Sequence, residues 1–185
     1  MRRVVCSMGT SLDGYVVDPD GGFDWSAPDE EVFAAATEEV RGTGVHLLGR
    51  RLYETMLYWE PGHRPEHLDA AELEFAAIWE ALPKVVFSRT LTSVEGTTRL
   101  ATDGLAAEIE RLRDGPGDIA IGGATLAAAA AEAGLVDEYR IRVHPVLVGG
   151  GTPFFPRDER RVDLELIGSR TFASGVVQLR HRVVR

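Results

Sequence analysis

Apolar and polar positions along the chain change period repeatedly, and the changes mark out alternating strands and helices. Val4 to Met8 is a short apolar run that predicts a first strand, with Gly9 to Gly14 as the loop behind it. Tyr15-Val16-Val17 predicts a brief extended piece, ended by the dense turn signal Asp18-Pro19-Asp20-Gly21-Gly22. Ser26-Ala27-Pro28-Asp29 reads as a helix start, followed by Val32, Phe33, Ala36 and Val40 at helical spacing. Val45 to Gly49 predicts a buried strand running into another helix. A further helix is expected over Asp69 to Leu82, with Leu73, Ala76, Ala77 and Leu82 inward.

Lys84 to Ser88 then predicts a strand, Leu105 to Leu112 a helix, and Asp118 to Ile121 a strand entering an Ala- and Leu-rich helix that ends at Gly134. From Asp137 the pattern is almost wholly that of strands. Tyr139, Ile141 and Val143 alternate with Arg140 and Arg142, and Val176 to Val184 alternate again. The Asp158 to Leu164 region and the turn at Gly149 to Gly151 are expected to connect them. Strand-helix alternation followed by strands alone predicts an α/β fold, a mainly parallel sheet with antiparallel strands appended. Residues 1–185 show no internal repeat and no linker, so one domain is expected.

Three predicted strand ends carry unusual chemistry, and strand ends are where open α/β sheets bind ligands. Gly49-Arg50-Arg51 places two guanidiniums at a helix start, where the helix dipole disfavours cations. That suits a phosphate held by an arginine fork, although a solvated arginine pair would show the same sequence. Ser88-Arg89-Thr90 sets two hydroxyls and a cation at the next strand end, residue types that also make ordinary turns. Gly122-Gly123-Ala124-Thr125 lets backbone approach a pyrophosphate, or simply makes a tight turn; it matches neither G-x-G-x-x-G nor a P-loop. Together they make a stronger case for one ligand than any does alone.

Composition narrows the classes. The 185 residues carry a net charge of −9, with 44% hydrophobic and 26% charged positions, and the cations are dispersed. A nucleic-acid partner would call for a basic face, so none is expected. No apolar run approaches the roughly 20 residues of a membrane helix, and the N-terminus lacks the pattern of a secretory signal. The lone Cys6 fits a cytoplasmic location. His63-Arg64-Pro65-Glu66-His67 matches an inverted zinc-site pattern, but Pro65 is incompatible with the helix that motif needs, so no metal is expected. His144, before Pro145, reads as a strand-end core or interface residue.

Ser11-Leu12-Asp13-Gly14-Tyr15, Leu48-Gly49-Arg50-Arg51-Leu52-Tyr53-Glu54, Lys84 to Leu91, Ile121 to Leu126, Gly134 to Tyr139 and His144 to Phe155 recur in one order along nearly the full length. The ordered set closely resembles the RibD C-terminal domain and dihydrofolate reductase-like superfamily. The resemblance implies a three-layer α/β fold: a mixed, mainly parallel sheet of about eight strands flanked by helices. It further implies an NADPH-dependent reductase of a small pteridine- or pyrimidine-like heterocycle. The pyrimidine reductase step of riboflavin synthesis, on 5-amino-6-(5-phosphoribosylamino)uracil, is the enzymatic alternative, and a non-catalytic NADPH-binding dimer the other. Gly49, Arg50 and Arg51 would meet the NADPH phosphates, with Ser88, Arg89 and Thr90 on the adenosine side. Gly122, Gly123, Ala124, Thr125 and Leu126 would hold the pyrophosphate, with a cis peptide between Gly122 and Gly123. Asp13 is the catalytic candidate, with Asp13, Tyr15 and Trp25 at the substrate. The proton could equally come from Asp29, Glu30, Glu31 or water. The apolar final strands, with Pro145 to Phe155, point to a homodimer.

Overall fold

The computed structural model describes residues 1–155 and 161–185, so part of the expected Asp158 to Leu164 connection lies outside the described residues. In chain order the strands are β1 (Val4–Ser11), β2 (Tyr15–Val17), β3 (Thr43–Gly49), β4 (Lys84–Phe87), β5 (Thr98–Leu100), β6 (Asp118–Gly122), β7 (Glu138–His144), β8 (Thr152–Pro153), β9 (Leu164–Thr171) and β10 (Val177–Val183). The helices are α1 (Glu30–Arg41), α2 (Arg50–Met56), α3 (Ala70–Ala81), α4 (Leu105–Leu112) and α5 (Ala124–Glu132). Eight strands form one sheet in the order β5-β4-β3-β6-β1-β7-β10-β9, while β2 and β8 pair separately. Strands β5 to β7 in that order run parallel, and β10 runs antiparallel to both β7 and β9. This is the mixed, mainly parallel sheet expected.

The register fixes two unlike faces. Val4, Cys6, Val45, Leu47, Val85, Ile119, Ile121, Tyr139 and Ile141 share one apolar face. There they pack with Ile109 of α4 and Leu126, Ala127 and Ala130 of α5. On the other face, Leu48 and Val86 meet Tyr53 of α2 and Phe75 and Trp79 of α3. Nearer β10 that second face turns polar: Ser7, Gly9 and Ser11 align with Arg140, Arg142 and His144. Helix α1 covers this region, its Glu39 accepting from Arg142 at 2.5 Å.

Local chemistry explains the helix limits. Asp29 caps α1 by accepting from the Val32 amide at 2.8 Å, so the helix begins at Glu30; Asp24 to Ser26 form a separate single turn. Asp69 and Glu72 make a reciprocal capping box at α3. Within α3 the expected inward Leu73 and Ala77 are exposed. Phe75, Ala76 and Trp79 face the core instead, because the two large aromatics bury far more apolar area than Leu73 two positions away on the opposite side. Strand β1 also runs through Gly9 to Ser11, where a loop was expected, because Thr10 and Ser11 find partners in Val143 and His144. The short β5 carries only Thr98, Arg99 and Leu100 and left no periodic signal.

Candidate active site

The parallel strands deliver their carboxyl ends to one edge. Leu48 is level with Gly122, and Gly49 with Phe87, so the three loops read from sequence emerge side by side from β4, β3 and β6. Gly49 is the N-cap of α2 and Gly123 the N-cap of α5, and neither has a side-chain cap. The first amides of both helices are therefore free to meet an anion.

The two glycine segments touch. A Cβ on Gly123 would stand 3.6 Å from the Gly49 amide nitrogen and 3.7 Å from Leu52 Cβ. A Cβ on Gly122 would fall 2.3 Å from Leu52 Cδ2 and 2.9 Å from His46 Nε2, a clash. Gly123 holds φ +93°, a conformation open to glycine and strained for other residues. The expected cis peptide at Gly122-Gly123 is not present: it is trans, like every peptide bond among the described residues. The positive φ of Gly123 turns the chain from β6 into α5 instead.

Around this cradle, Arg50 pairs with Glu54 one helical turn on, at 3.2 Å, both side chains reaching solvent. Arg51 and Arg89 are exposed and have no carboxylate partner among the described residues. Ser88 spends its hydroxyl locally, accepting from the Thr90 and Leu91 amides at 3.1 and 3.0 Å. Ala124 and Thr125 open α5, with Thr125 exposed, while Leu126 is buried in the core. Glycine backbone, two free helix starts and unpaired guanidiniums are a donor set that fits a dinucleotide's phosphates.

Asp13 is exposed and ties two loops together: it accepts from the Val148 and Gly149 amides at 3.2 and 2.8 Å. Hydrogen bonding from Ser11, reinforced by those amides, holds its carboxyl below the usual carboxylate range. A carboxylate so engaged is a loop tie and a poor proton donor. Tyr15 stands in β2 opposite Pro153. The three first-turn acids of α1 serve the fold: Asp29 caps the helix, and Glu31 accepts from the Ala173 amide at 3.1 Å and pairs with Arg170. Glu30 is exposed.

Trp25 packs edge-on against His144, ring centroids 5.8 Å apart, and its indole Nε1 is buried without a hydrogen-bond partner. His144, buried at the end of β7 and level with Ser11, was not singled out as a site residue from sequence. The signal was available: Arg140, Arg142 and His144 make one polar face of a strand whose other face is apolar. Burial, then the Arg142 charge, lowers the His144 pKa below its ordinary value, against a smaller opposing pull from Asp29. A groove of about 490 Å³ lies on the flank of α1 facing β9 and β10. Its arginines are all engaged, Arg140 and Arg180 with Glu138 and Arg170 with Glu31. His63 meets Glu95 in a surface turn, and among the described residues no group of side chains could hold a metal ion. No described helix is long and apolar enough to cross a membrane.

Strand order, helix placement and strand-end loops define a dihydrofolate reductase-like fold. The chain belongs to the RibD C-terminal domain family, whose model matches residues 2–178. It is 32% identical over 180 residues to YyaP of Bacillus subtilis, an uncharacterized protein, covering 96% of this chain and 93% of that one. Among solved structures it resembles a putative riboflavin biosynthesis protein from Shewanella sp. PV-4, with TM-score 0.76, 25% identity and 99% of both chains covered. It also resembles Acinetobacter baumannii RibD, with TM-score 0.70 and 18% identity, all of this chain matching 58% of that one.

Proposed function

We propose that this chain, acting as one domain, is an NADPH-dependent reductase that passes a hydride to a small heterocyclic substrate in the cytoplasm. The observation that carries the reading is the convergence of Gly49-Arg50-Arg51 with Gly122-Gly123. Two uncapped helix starts meet at glycines there, with Arg51 and Arg89 unpaired nearby. Gly49, Gly122, Gly123 and the amides of Ala124, Thr125 and Leu126 would hold the pyrophosphate. Arg50 and Arg51 would select the 2′-phosphate, and Arg89 with Ser88 and Thr90 would border the adenosine. When bound, NADPH supplies the hydride, and the protein orients it and excludes water. Family membership supports the reductase class.

The test is a calorimetric titration with NADPH and with NADH, followed by NADPH oxidation across a panel of pteridines and pyrimidines. NADPH should bind at least tenfold more tightly than NADH, about 1.4 kcal/mol. Absence of dinucleotide binding would sink the proposal, and binding without turnover on any heterocycle would favour a non-catalytic protein.

The same chain should pair with a second copy. Leu164 and Leu166 are exposed, 39% and 56%, on the sheet face they share with Val183 and His181. Phe155, packed on Tyr139, is exposed beside them. An apolar face of this kind is characteristic of an interface. Sedimentation should return a dimer, and Leu166→Asp a monomer.

A further inference from the structure

This inference rests on the reductase reading and concerns its substrate side. Strand β1 is buried at Val4 to Cys6 and again at Thr10 and Ser11, but only half-buried from Ser7 to Gly9. Beside it on β7 the burial breaks at Arg142 and Val143. On the α1 face, that break bares Ser7, Gly9 and Arg142 at the centre of the sheet.

Three polar atoms are gathered there with nothing to bind. Ser7 Oγ, Trp25 Nε1 and Arg142 Nε are shielded and have no hydrogen-bond partner among the described residues. Native proteins rarely leave such groups unmet unless a ligand or water completes them. His144 joins them: its ring is edge-on to Trp25, and its Nε2 lies 3.2 Å from where a Cβ on Gly9 would stand. Any larger residue at position 9 would press on the imidazole.

The chemistry of these groups selects their occupant. Indole and guanidinium N–H groups only donate, so the occupant must supply acceptors. It need not supply negative charge. Arg142 is already matched by Glu39 at 2.5 Å, and Arg140 by Glu138 and Asp118 at 2.7 and 3.0 Å. The Asp29 carboxylate acts on His144 from the other side. A phosphate would find no free cation on this face among the described residues. Arg51 and Arg89, which have none of these partners, belong to the ends of β3 and β4.

We propose that Trp25 and His144, with Ser7 and Arg142 beneath them, recognise the acceptor edge of an uncharged, carbonyl-bearing planar heterocycle rather than a phosphorylated sugar. The test is an NMR titration of the labelled full chain, with and without NADPH, using lumazine, uracil and ribose 5-phosphate as probes. Trp25→Phe assigns its indole signal among the three tryptophans. Lumazine and uracil should shift the Trp25 indole and His144 imidazole signals, and ribose 5-phosphate should not. Trp25→Phe and His144→Gln should each weaken lumazine binding up to about tenfold, as loss of one hydrogen bond does, with NADPH affinity and thermal melts unchanged. Unmoved Trp25 and His144 signals with both heterocycles would overturn the proposal. So would equal shifts from ribose 5-phosphate. NADPH binding on the same samples separates the two readings. If NADPH binds and Trp25 stays silent, only this inference fails; if lumazine shifts Trp25 and NADPH does not bind, only the cofactor reading fails.

Discussion

The Lys84 ammonium lies 3.3 Å from the Glu60 carboxylate, with both side chains buried at the base of the cofactor edge. Lys84 Nζ also donates to the Trp79 and Leu82 carbonyls at 2.6 and 3.1 Å and to Thr97 Oγ1 at 3.1 Å. This one side chain therefore joins the end of α3, the start of β4 and the segment after α2. Burial lowers the Lys84 pKa below its ordinary 10.5, and Glu60 partly restores it. Lys84→Met should destabilise the fold by about 3–5 kcal/mol, because it leaves Glu60 charged, buried and unmatched. Lys84→Met with Glu60→Leu should recover much of that loss. Urea unfolding of the three variants measures it, and a double variant no better than the single would refute the pairing argument.

That network shows where sequence reading stops. Lys84 is the only lysine of the chain, yet nothing local to it announces Glu60, 24 positions earlier. The sheet and its order of elements were legible, because period-2 and period-3.6 patterns are written into consecutive residues. The cradle was legible too, since Gly49, Arg50, Arg51, Gly122 and Gly123 are residue types that only strand ends and helix starts explain together. His144 was not, because its meaning depends on Trp25, far away in sequence. Leu73 was misplaced because α3 carries apolar residues on more than one side, and only the size of Phe75 and Trp79 decides which side is buried. Asp13 was identified by residue type, but its carboxylate is held by two amides from a loop more than a hundred residues distant.

Acid should find a second weak point at Glu108. Its side chain is buried, and bidentate pairing with Arg99 at 3.0 and 2.6 Å, aided by the Thr102 amide, lowers its pKa from 4.5 to about 2. A depressed carboxylate stabilises the fold above its unfolded pKa, and that contribution fades as pH falls from 4.5 towards 2. Discounting for guanidiniums that reach solvent, the loss should be on the order of 2 kcal/mol. Unfolding free energies of the wild type and Glu108→Gln, measured from pH 6 to about pH 2, should converge as acid is added. Parallel curves would show that Glu108 is not the group titrating.

Gly122→Ala and Gly123→Ala should fail for different reasons. At 122 the new methyl would collide with Leu52 Cδ2, at 2.3 Å, and with His46 Nε2. At 123 there is room, 3.6 Å to the nearest atom, but φ is +93°. The first should shift α2 away from β6, and the second should cost about 1–3 kcal/mol in backbone strain. Both should weaken NADPH, and Leu52→Ala should rescue Gly122→Ala alone. Rescue of Gly123→Ala by the same change would contradict the distinction between crowding and strain.

Arg50 and Arg51 are neighbours in sequence with unequal freedom, and that inequality makes the sharpest test of the cofactor site. Arg50 Nη1 is held by Glu54 Oε1 at 3.2 Å, an exposed i,i+4 pair, whereas Arg51 has no carboxylate to leave. An exposed pair of this kind contributes only about 0.3–0.5 kcal/mol, so a 2′-phosphate can compete for Arg50 at little cost. Arg51→Ala should therefore weaken NADPH more than Arg50→Ala does, and both should leave NADH nearly unchanged. Glu54→Gln should move the other way. It removes a nearby negative charge and releases Arg50, so NADPH should bind severalfold more tightly, about 0.5–1 kcal/mol, most clearly at low salt. Calorimetry on the four proteins at two ionic strengths reads all of this. A Glu54→Gln variant that gains equally for NADH and NADPH would mean that Arg50 does not face the 2′-phosphate.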